Sequence, residues 1–184
     1  MIVGISGNIG SGKTIISKKV LEKLDKNKWK LIEVDQLNSL LYKDKVFINF
    51  VKDNFGADIF ANNEINKDLL KKNIFKDKTT FSKFSKFAWL LVEKYLIEKV
   101  NKEFNYLIDG AIIYQFKNIK FDKLFFIQNN ENIANAIKRS TTSVKEEILF
   151  LNNFQESLKK SSEIITIKYQ PNLSEIIFKK IMEN

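Results

Sequence analysis

Neither cysteine nor histidine occurs in the 184 residues of this chain, and arginine occurs once, as Arg139. Without thiols there is no disulfide framework and no thiolate nucleophile, and without imidazoles the common zinc sites and histidine-based triads are excluded. Proline is as scarce, with Pro171 alone, and only six glycines are present. No Pro-, Gly- or Ser-rich stretch marks a linker and no internal repeat is found, so a second unit would have to be an insertion into the first. One domain over residues 1–184 is the expectation, with 44% apolar content enough for one substantial core. Apolar runs such as Phe87 to Val92 fall far short of a membrane span. The N-terminus enters Ile2-Val3-Gly4-Ile5-Ser6 without the basic and long apolar regions of a signal peptide. A cytoplasmic location with no membrane partner is therefore expected.

What the chain has in quantity is lysine, and its formal net charge is +9. Clustered positive charge attracts phosphate backbones, but here the lysines are spread in pairs such as Lys18-Lys19, Lys71-Lys72 and Lys159-Lys160. Together with abundant asparagine and isoleucine, the near-replacement of arginine by lysine reads as an AT-rich codon bias. Spread charge makes a solvated surface, so no nucleic-acid partner is expected, although a nucleic-acid-stimulated ATPase is one alternative. The same field suits small anionic substrates. Nothing in the sequence specifies an oligomeric state.

Short β-branched and aromatic runs alternate with longer stretches of helical period, the pattern of a parallel sheet covered on both faces by helices. The spacing predicts strands at Ile2 to Ser6, Leu31 to Val34, Tyr106 to Asp109, Leu124 to Ile127 and Ile164 to Ile167. It predicts helices at Lys13 to Leu24, Lys45 to Asn54, Lys67 to Phe75, Phe81 to Phe104, Asn130 to Arg139, Val144 to Lys159 and Leu173 to Met182. Between the second and third strands lie about 70 residues of helical pattern with no convincing strand, where a simple crossover needs a dozen or more. A mostly helical insertion over about 45–104 is expected there. Phe81, Phe84, Phe87, Ala88, Leu91, Tyr95 and Val100 fall on one helical face and read as core.

The segment Gly7-Asn8-Ile9-Gly10-Ser11-Gly12-Lys13-Thr14 satisfies G-x-x-x-x-G-K-[ST], after a predicted strand and before a predicted helix. This is the context of a phosphate-binding loop. Phosphate oxygens must be met at close range by backbone N–H groups, which glycine permits, while the following helix points its positive end at the anion. Residues Asn8 to Thr14 would cradle the phosphates of ATP. Lys13 would hold the β- and γ-phosphates, and the Thr14 hydroxyl would ligand Mg²⁺. Ile15 stands where many such loops carry a second hydroxyl for the α-phosphate, and it cannot make that hydrogen bond. Asp109 ends a predicted strand on the same sheet edge, where a carboxylate can order Mg²⁺ or its waters; a capping aspartate is the alternative.

The stretch Gly4 to Thr14 resembles the opening of dephospho-coenzyme A kinases, G-x-T-G-G-I-G-S-G-K-[ST]. Three further segments follow in the family's order. Glu33-Val34-Asp35-Gln36-Leu37 is similar to its D-A-D motif, with the second aspartate kept as Asp35. Phe55-Gly56-Ala57-Asp58-Ile59, then Glu64 to Lys67 and Leu69 to Phe75, resembles F-G-x-x-[IV]…G-x-[IL]-[ND]-R-x-x-L-x-x-x-V-F. Leu107 to Gln115 resembles V-x-D-x-P-L-L-F-E. The resemblance implies a three-layer α/β P-loop kinase fold with about five parallel strands, a helical acceptor-binding insertion and a short lid over about 136–150. It implies transfer of the ATP γ-phosphate to the ribose 3′-hydroxyl of dephospho-coenzyme A, with ATP and Mg²⁺ as cofactors. Asp35, read as lying at the end of the second strand, would orient or deprotonate that hydroxyl. Lys67 takes the place of an acceptor-binding arginine, Asp109 would contribute to the substrate side, and Arg139 matches a lid arginine that clamps the phosphates.

The chain departs from the family's pattern at several points. Phe87-Ala88-Trp89 stands near the family's His-Pro pair, Phe150 near its second lid arginine, Ala111 at its proline and Gln115 at its glutamate. Two other readings therefore stand beside the first: a P-loop kinase for another nucleoside or nucleotide, and a nucleotide-binding protein with little transfer activity.

Overall fold

The computed structural model describes residues 1–129, 149–151, 153 and 163–183. The expected helix from Asn130 to Arg139 lies outside them, as do almost all of the helix from Val144 to Lys159 and of the lid. The chain forms two compact units, one of Met1–Glu33 with Val100–Asn184 and one of Val34–Lys99.

The first unit is built on five parallel strands: β1 (Ile2–Gly7), β2 (Trp29–Glu33), β5 (Asn105–Asp109), β6 (Lys123–Gln128) and β7 (Ile164–Lys168). Their order across the sheet is β2-β5-β1-β6-β7. β1 is central because nearly every residue in it is buried, as a strand covered on both faces requires. On one face Val3 and Ile5 of β1, Leu107 of β5 and Phe125 and Ile127 of β6 meet helices α1 (Lys13–Lys23) and α6 (Leu173–Met182). The contacts follow helical spacing: Ile16 and Val20 from α1, and Leu173, Ile177 and Ile181 from α6, are all buried. On the other face a Cβ at Gly4 would lie 2.5 Å from Leu124 and 3.0 Å from Ile113, so only glycine lets those side chains close over β1. Ile113 belongs to a 3₁₀ turn (Ile113–Gln115) in the connection from β5 to β6.

The second unit is helical: α2 (Val34–Leu41), α3 (Lys45–Phe55), α4 (Lys67–Ile74) and α5 (Lys78–Lys99). Between α3 and α4 a 3₁₀ turn (Ala57–Ile59) leads into a two-stranded hairpin, β3 (Phe60–Ala61) and β4 (Glu64–Ile65). The hairpin turns on Asn62 and Asn63 at φ 52° and 65°, a pair of left-handed residues of the kind two-residue hairpins demand.

Several expectations are corrected. The interval between β2 and β5 does hold strands, the short hairpin β3–β4, whose two-residue runs are too brief to show a period in the sequence. Val34 does not extend β2 but opens α2, because Val34, Leu37 and Leu41 recur at i, i+3 and i+7 and are buried together. Helix α5 begins earlier than expected, where the Asp77 carboxylate accepts the Thr80 N–H at 2.9 Å, and ends at Lys99, so Val100 is not on it. Its buried face is Phe81, Ser85, Ala88, Val92 and Leu96, and Phe84, Phe87, Leu91 and Tyr95 flank that face half-buried. Among the described residues no helix is long and apolar enough to cross a membrane.

Asp44 joins two helices of this unit. Its carboxylate accepts the Val46 N–H at 2.7 Å and the Phe47 N–H at 3.3 Å, capping α3, and the Tyr95 hydroxyl of α5 at 2.6 Å. The Tyr95 hydroxyl holds Asp44 below its ordinary value near 3.8 against a desolvation cost, with the two backbone amides adding to the lowering, while burial first and the same hydrogen bond second raise Tyr95. A carboxylate depressed in the folded state stabilises above its unfolded value, and the contribution vanishes as pH falls through the folded one. Asp44→Ala is expected to lower stability by about 2 kcal/mol at neutral pH, one cap plus one charge-assisted hydrogen bond. In urea titrations the gap from wild type should narrow below about pH 4.

Candidate nucleotide and acceptor site

The phosphate loop begins where β1 leaves the sheet at its C-terminal end, the edge at which open α/β sheets bind ligands. The turn is closed by the Ser11 N–H donating to the Asn8 carbonyl at 3.0 Å. Gly10 and Gly12 have φ of 74° and 82°, the left-handed region that a side chain strains to enter. Gly12 is also the residue before α1, and no side chain caps that helix or places an acid in its first turn. The first amides of α1 and its positive end are thus left for an anion. The Gly12 carbonyl receives the Ile16 N–H at 3.0 Å and the Lys13 carbonyl receives the Ser17 hydroxyl at 2.9 Å, fixing the start of the helix.

Gly7 carries a constraint that its backbone angles do not reveal. A Cβ there would lie 2.5 Å from the Ser11 hydroxyl oxygen and 2.7 Å from the Ile127 carbonyl oxygen. Ser11 is wholly buried and its hydroxyl makes no hydrogen bond in the structure. Asn8 is buried beside it, whereas Ile15 is 63% exposed on the first turn of α1. Lys13 is half-buried and pairs with no carboxylate among the described residues, leaving its charge available at the loop.

Asp109 is brought to this edge by sheet register: it ends β5 opposite Ile5 of β1 on one side and Glu33 of β2 on the other. It is buried. The Gly110 N–H donates to the Ile5 carbonyl at 3.2 Å and the Ser6 hydroxyl to the Ala111 carbonyl at 2.8 Å, which pins the chain after Asp109 against β1. Glu33 is held by Lys18 of α1 at 3.1 Å. Lys13, Thr14 and Asp109 therefore share one end of the sheet.

Asp35 and Lys67 belong to the helical unit. Asp35 is exposed in the first turn of α2, not at a strand end, and its negative charge suits the positive helix terminus. Lys67 is the first residue of α4, whose cap is the Asn66 side chain accepting the Asp68 and Leu69 amides at 3.2 Å and 3.1 Å. Its ammonium lies 4.4 Å from the centre of the Tyr42 ring, a cation–π contact that fixes a long, mobile side chain. Arg139 and Lys138 lie outside the described residues.

Three further residues stand beside these groups without a signal of their own in the motifs. In sequence Gly7 is only the first letter of the motif, and its steric need appears only when β6 is laid alongside. Tyr42 carried no signal apart from its Lys67 partner. Tyr169, half-exposed just after β7, brings its ring within 3.8 Å of a Cβ built at Gly12. The rule that ligands gather at the C-terminal ends of parallel strands would have singled it out.

A family model described as "CoaE: Dephospho-CoA kinase" matches residues 1–109, more than half of the chain. This chain belongs to the dephospho-CoA kinase family. It is accordingly an ATP-using kinase that phosphorylates dephospho-CoA. The matched residues include the phosphate loop, Asp35, Lys67 and Asp109, and stop before Arg139 and Tyr169. Solved structures agree on the fold. The Thermus thermophilus protein TT1252 is similar at 17% identity and a TM-score of 0.69, with 99% of this chain and 96% of that one covered. A dephospho-CoA kinase from Campylobacter jejuni aligns at 14% identity and 0.52, covering 98% and 95%. An uncharacterized protein from Eubacterium ventriosum aligns at 13% and 0.50, covering 100% and 99%. A comparison with curated proteins finds no match.

For this dephospho-CoA kinase the crowding at Gly7 gives a direct test. Gly7→Ala is expected to cost about 1–3 kcal/mol of stability, as overpacking of a closed site does. It should also weaken ATP binding, measured by calorimetry. Adding Ser11→Gly should not restore either quantity, because the Ile127 backbone carbonyl still blocks the new methyl.

Proposed function

We propose that the loop from Gly7 to Thr14 is the ATP site of this kinase and that Asp35 acts on the ribose 3′-hydroxyl of dephospho-CoA. The observation that carries the donor half is the uncapped, acid-free start of α1 behind two left-handed glycines. On this reading the loop amides and Lys13 hold the β- and γ-phosphates, and Lys13 offsets charge as it develops in transfer. The acceptor oxygen bonds to the γ-phosphorus as the bond to the β,γ-bridging oxygen breaks. The hydroxyl proton passes to the Asp35 carboxylate, and ADP and coenzyme A result. Lys67, steadied on Tyr42, is assigned to an anionic part of the acceptor, and the Val34–Lys99 unit to acceptor binding. Arg139 is assigned to clamping the transferring phosphoryl group, which its planar, permanently charged fork suits.

The residues present fit Mg²⁺. Thr14 supplies a hydroxyl and Asp109 a buried carboxylate, both hard oxygen donors. No cluster of three acidic side chains occurs among the described residues, and a Mg²⁺ carried mainly by phosphates and water needs only one or two protein groups. Bound there, the ion would neutralise the phosphate oxygens. Consumption of ATP supports a cytoplasmic setting.

The deciding experiment offers purified protein Mg-ATP with dephospho-CoA, uridine, cytidine or nucleoside monophosphates and follows products by chromatography. Coenzyme A is the expected product. Transfer to a nucleoside with none to dephospho-CoA would overturn the acceptor assignment, and ATP binding with no transfer would favour a nucleotide-binding role.

Two variants separate the halves of the site. Lys13→Ala should lose about 3 kcal/mol of transition-state stabilisation, on the order of a hundredfold in kcat/KM. Asp35→Asn should lower kcat while ATP affinity stays as in wild type. An unchanged rate for either removes that residue from the mechanism.

A further inference from the structure

A cavity of about 670 Å³ opens in the first unit, away from the phosphate loop. Its walls come from the connection between β5 and β6 and from the starts of β6 and β7. The phosphate loop leaves the sheet beyond Gly7, which pairs with Ile127 near the far end of β6, whereas the cavity is lined by Lys123 and Leu124. The two places are separated along β6 by roughly 10 Å or more at about 3.3 Å per residue. Nothing in the transfer reaction uses this end of the strands.

The sequence of the β5–β6 connection builds the cavity in two interleaved sets. Ile113, Phe116 and Ile119 recur every third residue and are buried, and Leu124 and Ile164 continue the apolar floor from the strands. The glycine at position 4 lets this connection lie close on β1. Lys117, Lys120 and Lys123 recur at the same interval one residue later. Lys123 is committed to the fold, since its ammonium donates to the Lys180 and Glu183 carbonyls at the end of α6. Lys117 and Lys120 are exposed and pair with no carboxylate among the described residues. Of the two acids on the rim, Asp122 is engaged by the Ile2 N–H at 2.6 Å, and Glu163 is the other.

An apolar floor under two ammonium groups that pair with no carboxylate among the described residues is a recognisable chemistry. The volume falls in the range of small-molecule sites, roughly 300–1,000 Å³. An aromatic or aliphatic body would displace water from Phe116, Ile119, Leu124 and Ile164, and a negative head would meet Lys117 and Lys120. Lysine is a flexible point charge, so the head is selected for charge and not for planar, bidentate shape. We propose that this cavity is a second ligand site, separate from the reaction centre, for a small organic anion with an apolar body and a sulfonate-, phosphate- or carboxylate-type head.

The connection that forms the wall starts at the residue after Asp109, and its Ala111 carbonyl is the one that receives the Ser6 hydroxyl. A ligand in the cavity therefore rests on a segment covalently continuous with the reaction edge.

The test uses the full chain with saturating Mg-ATP and the fluorescent probe 8-anilinonaphthalene-1-sulfonate, which has an aromatic body and one sulfonate. Saturable binding of one probe per chain is expected, undiminished by ATP. Lys117→Glu/Lys120→Glu should weaken it at least tenfold, and Lys117→Gln/Lys120→Gln by less. Lys19→Glu/Lys26→Glu, equal in charge change but remote in sequence from the cavity walls, should leave it as in wild type. All four positions are exposed, and unchanged melting temperatures would establish that the variants are folded. Probe binding that fails to saturate, is displaced by ATP, or has the same affinity in the Lys117/Lys120 variants as in wild type would overturn the proposal. Equal weakening in the Lys19/Lys26 control would do so too.

Discussion

Residue 7 has no room for a side chain, and much of the reaction edge depends on that vacancy. A Cβ there would lie 2.5 Å from the Ser11 hydroxyl and 2.7 Å from the Ile127 carbonyl, so the loop can fold back on β1 only if residue 7 is glycine. With the loop in that position, Gly10 and Gly12 take their left-handed turns and α1 starts with its amides unclaimed. The remaining pieces of the edge are fastened to the same strand: Gly110 through the Ile5 carbonyl, and Ala111 through the Ser6 hydroxyl. Asp109 is held in place as a consequence, between the ends of β1 and β2. A phosphate loop is often described by its glycine conformations, but in this chain the tightest condition is one of close approach.

Much of this was legible in the sequence because the determinants are local. The five strands of the parallel sheet and the helix that follows the phosphate loop are legible in apolar period and in the motif's own spacing. What failed was also local, but ambiguous. Leu31 to Val34 is a β-branched run that could end on either side of Val34, and only the partnership of Val34 with Leu37 and Leu41 gives it to the helix. That single residue moves Asp35 from a strand end to a first helical turn. The start of α5 lies ahead of its apolar period, at Asp77, where an aspartate that caps through Thr80 is the helix-start signal. Gly7, Tyr42 and Tyr169 were out of reach for another reason: their partners are distant in the chain or act through shape, and neither leaves a pattern in one sequence.

The helical unit also accounts for a departure from the family's motifs. Phe87-Ala88-Trp89 stands near the family's His-Pro pair, and the Phe87 ring stacks on Phe50 with centroids 3.9 Å apart and planes 8° from parallel. Phe84, one turn earlier, meets Phe47, Phe50 and Phe55. The position is thus occupied by packing between α3 and α5 in place of a polar side chain. Elsewhere in the same unit a polar side chain is held by an aromatic one, the Lys67 ammonium over the Tyr42 ring.

The strand order carries a consequence for how the protein is made. β1 is synthesised before every other strand of the sheet, yet its neighbours are β5 and β6, so Ile2 pairs with Tyr106 and Val3 with Lys123. The Ile127 carbonyl that shapes the turn after Gly7 is synthesised 120 residues later than the turn itself. At ordinary translation rates of about 5–20 residues per second, a strand that ends up almost wholly buried waits several seconds for its partners. Non-local pairing of this kind folds slowly and leaves strand edges open meanwhile. During synthesis the nascent loop therefore has its sequence before it has its shape, which is complete only when the second half of the chain arrives.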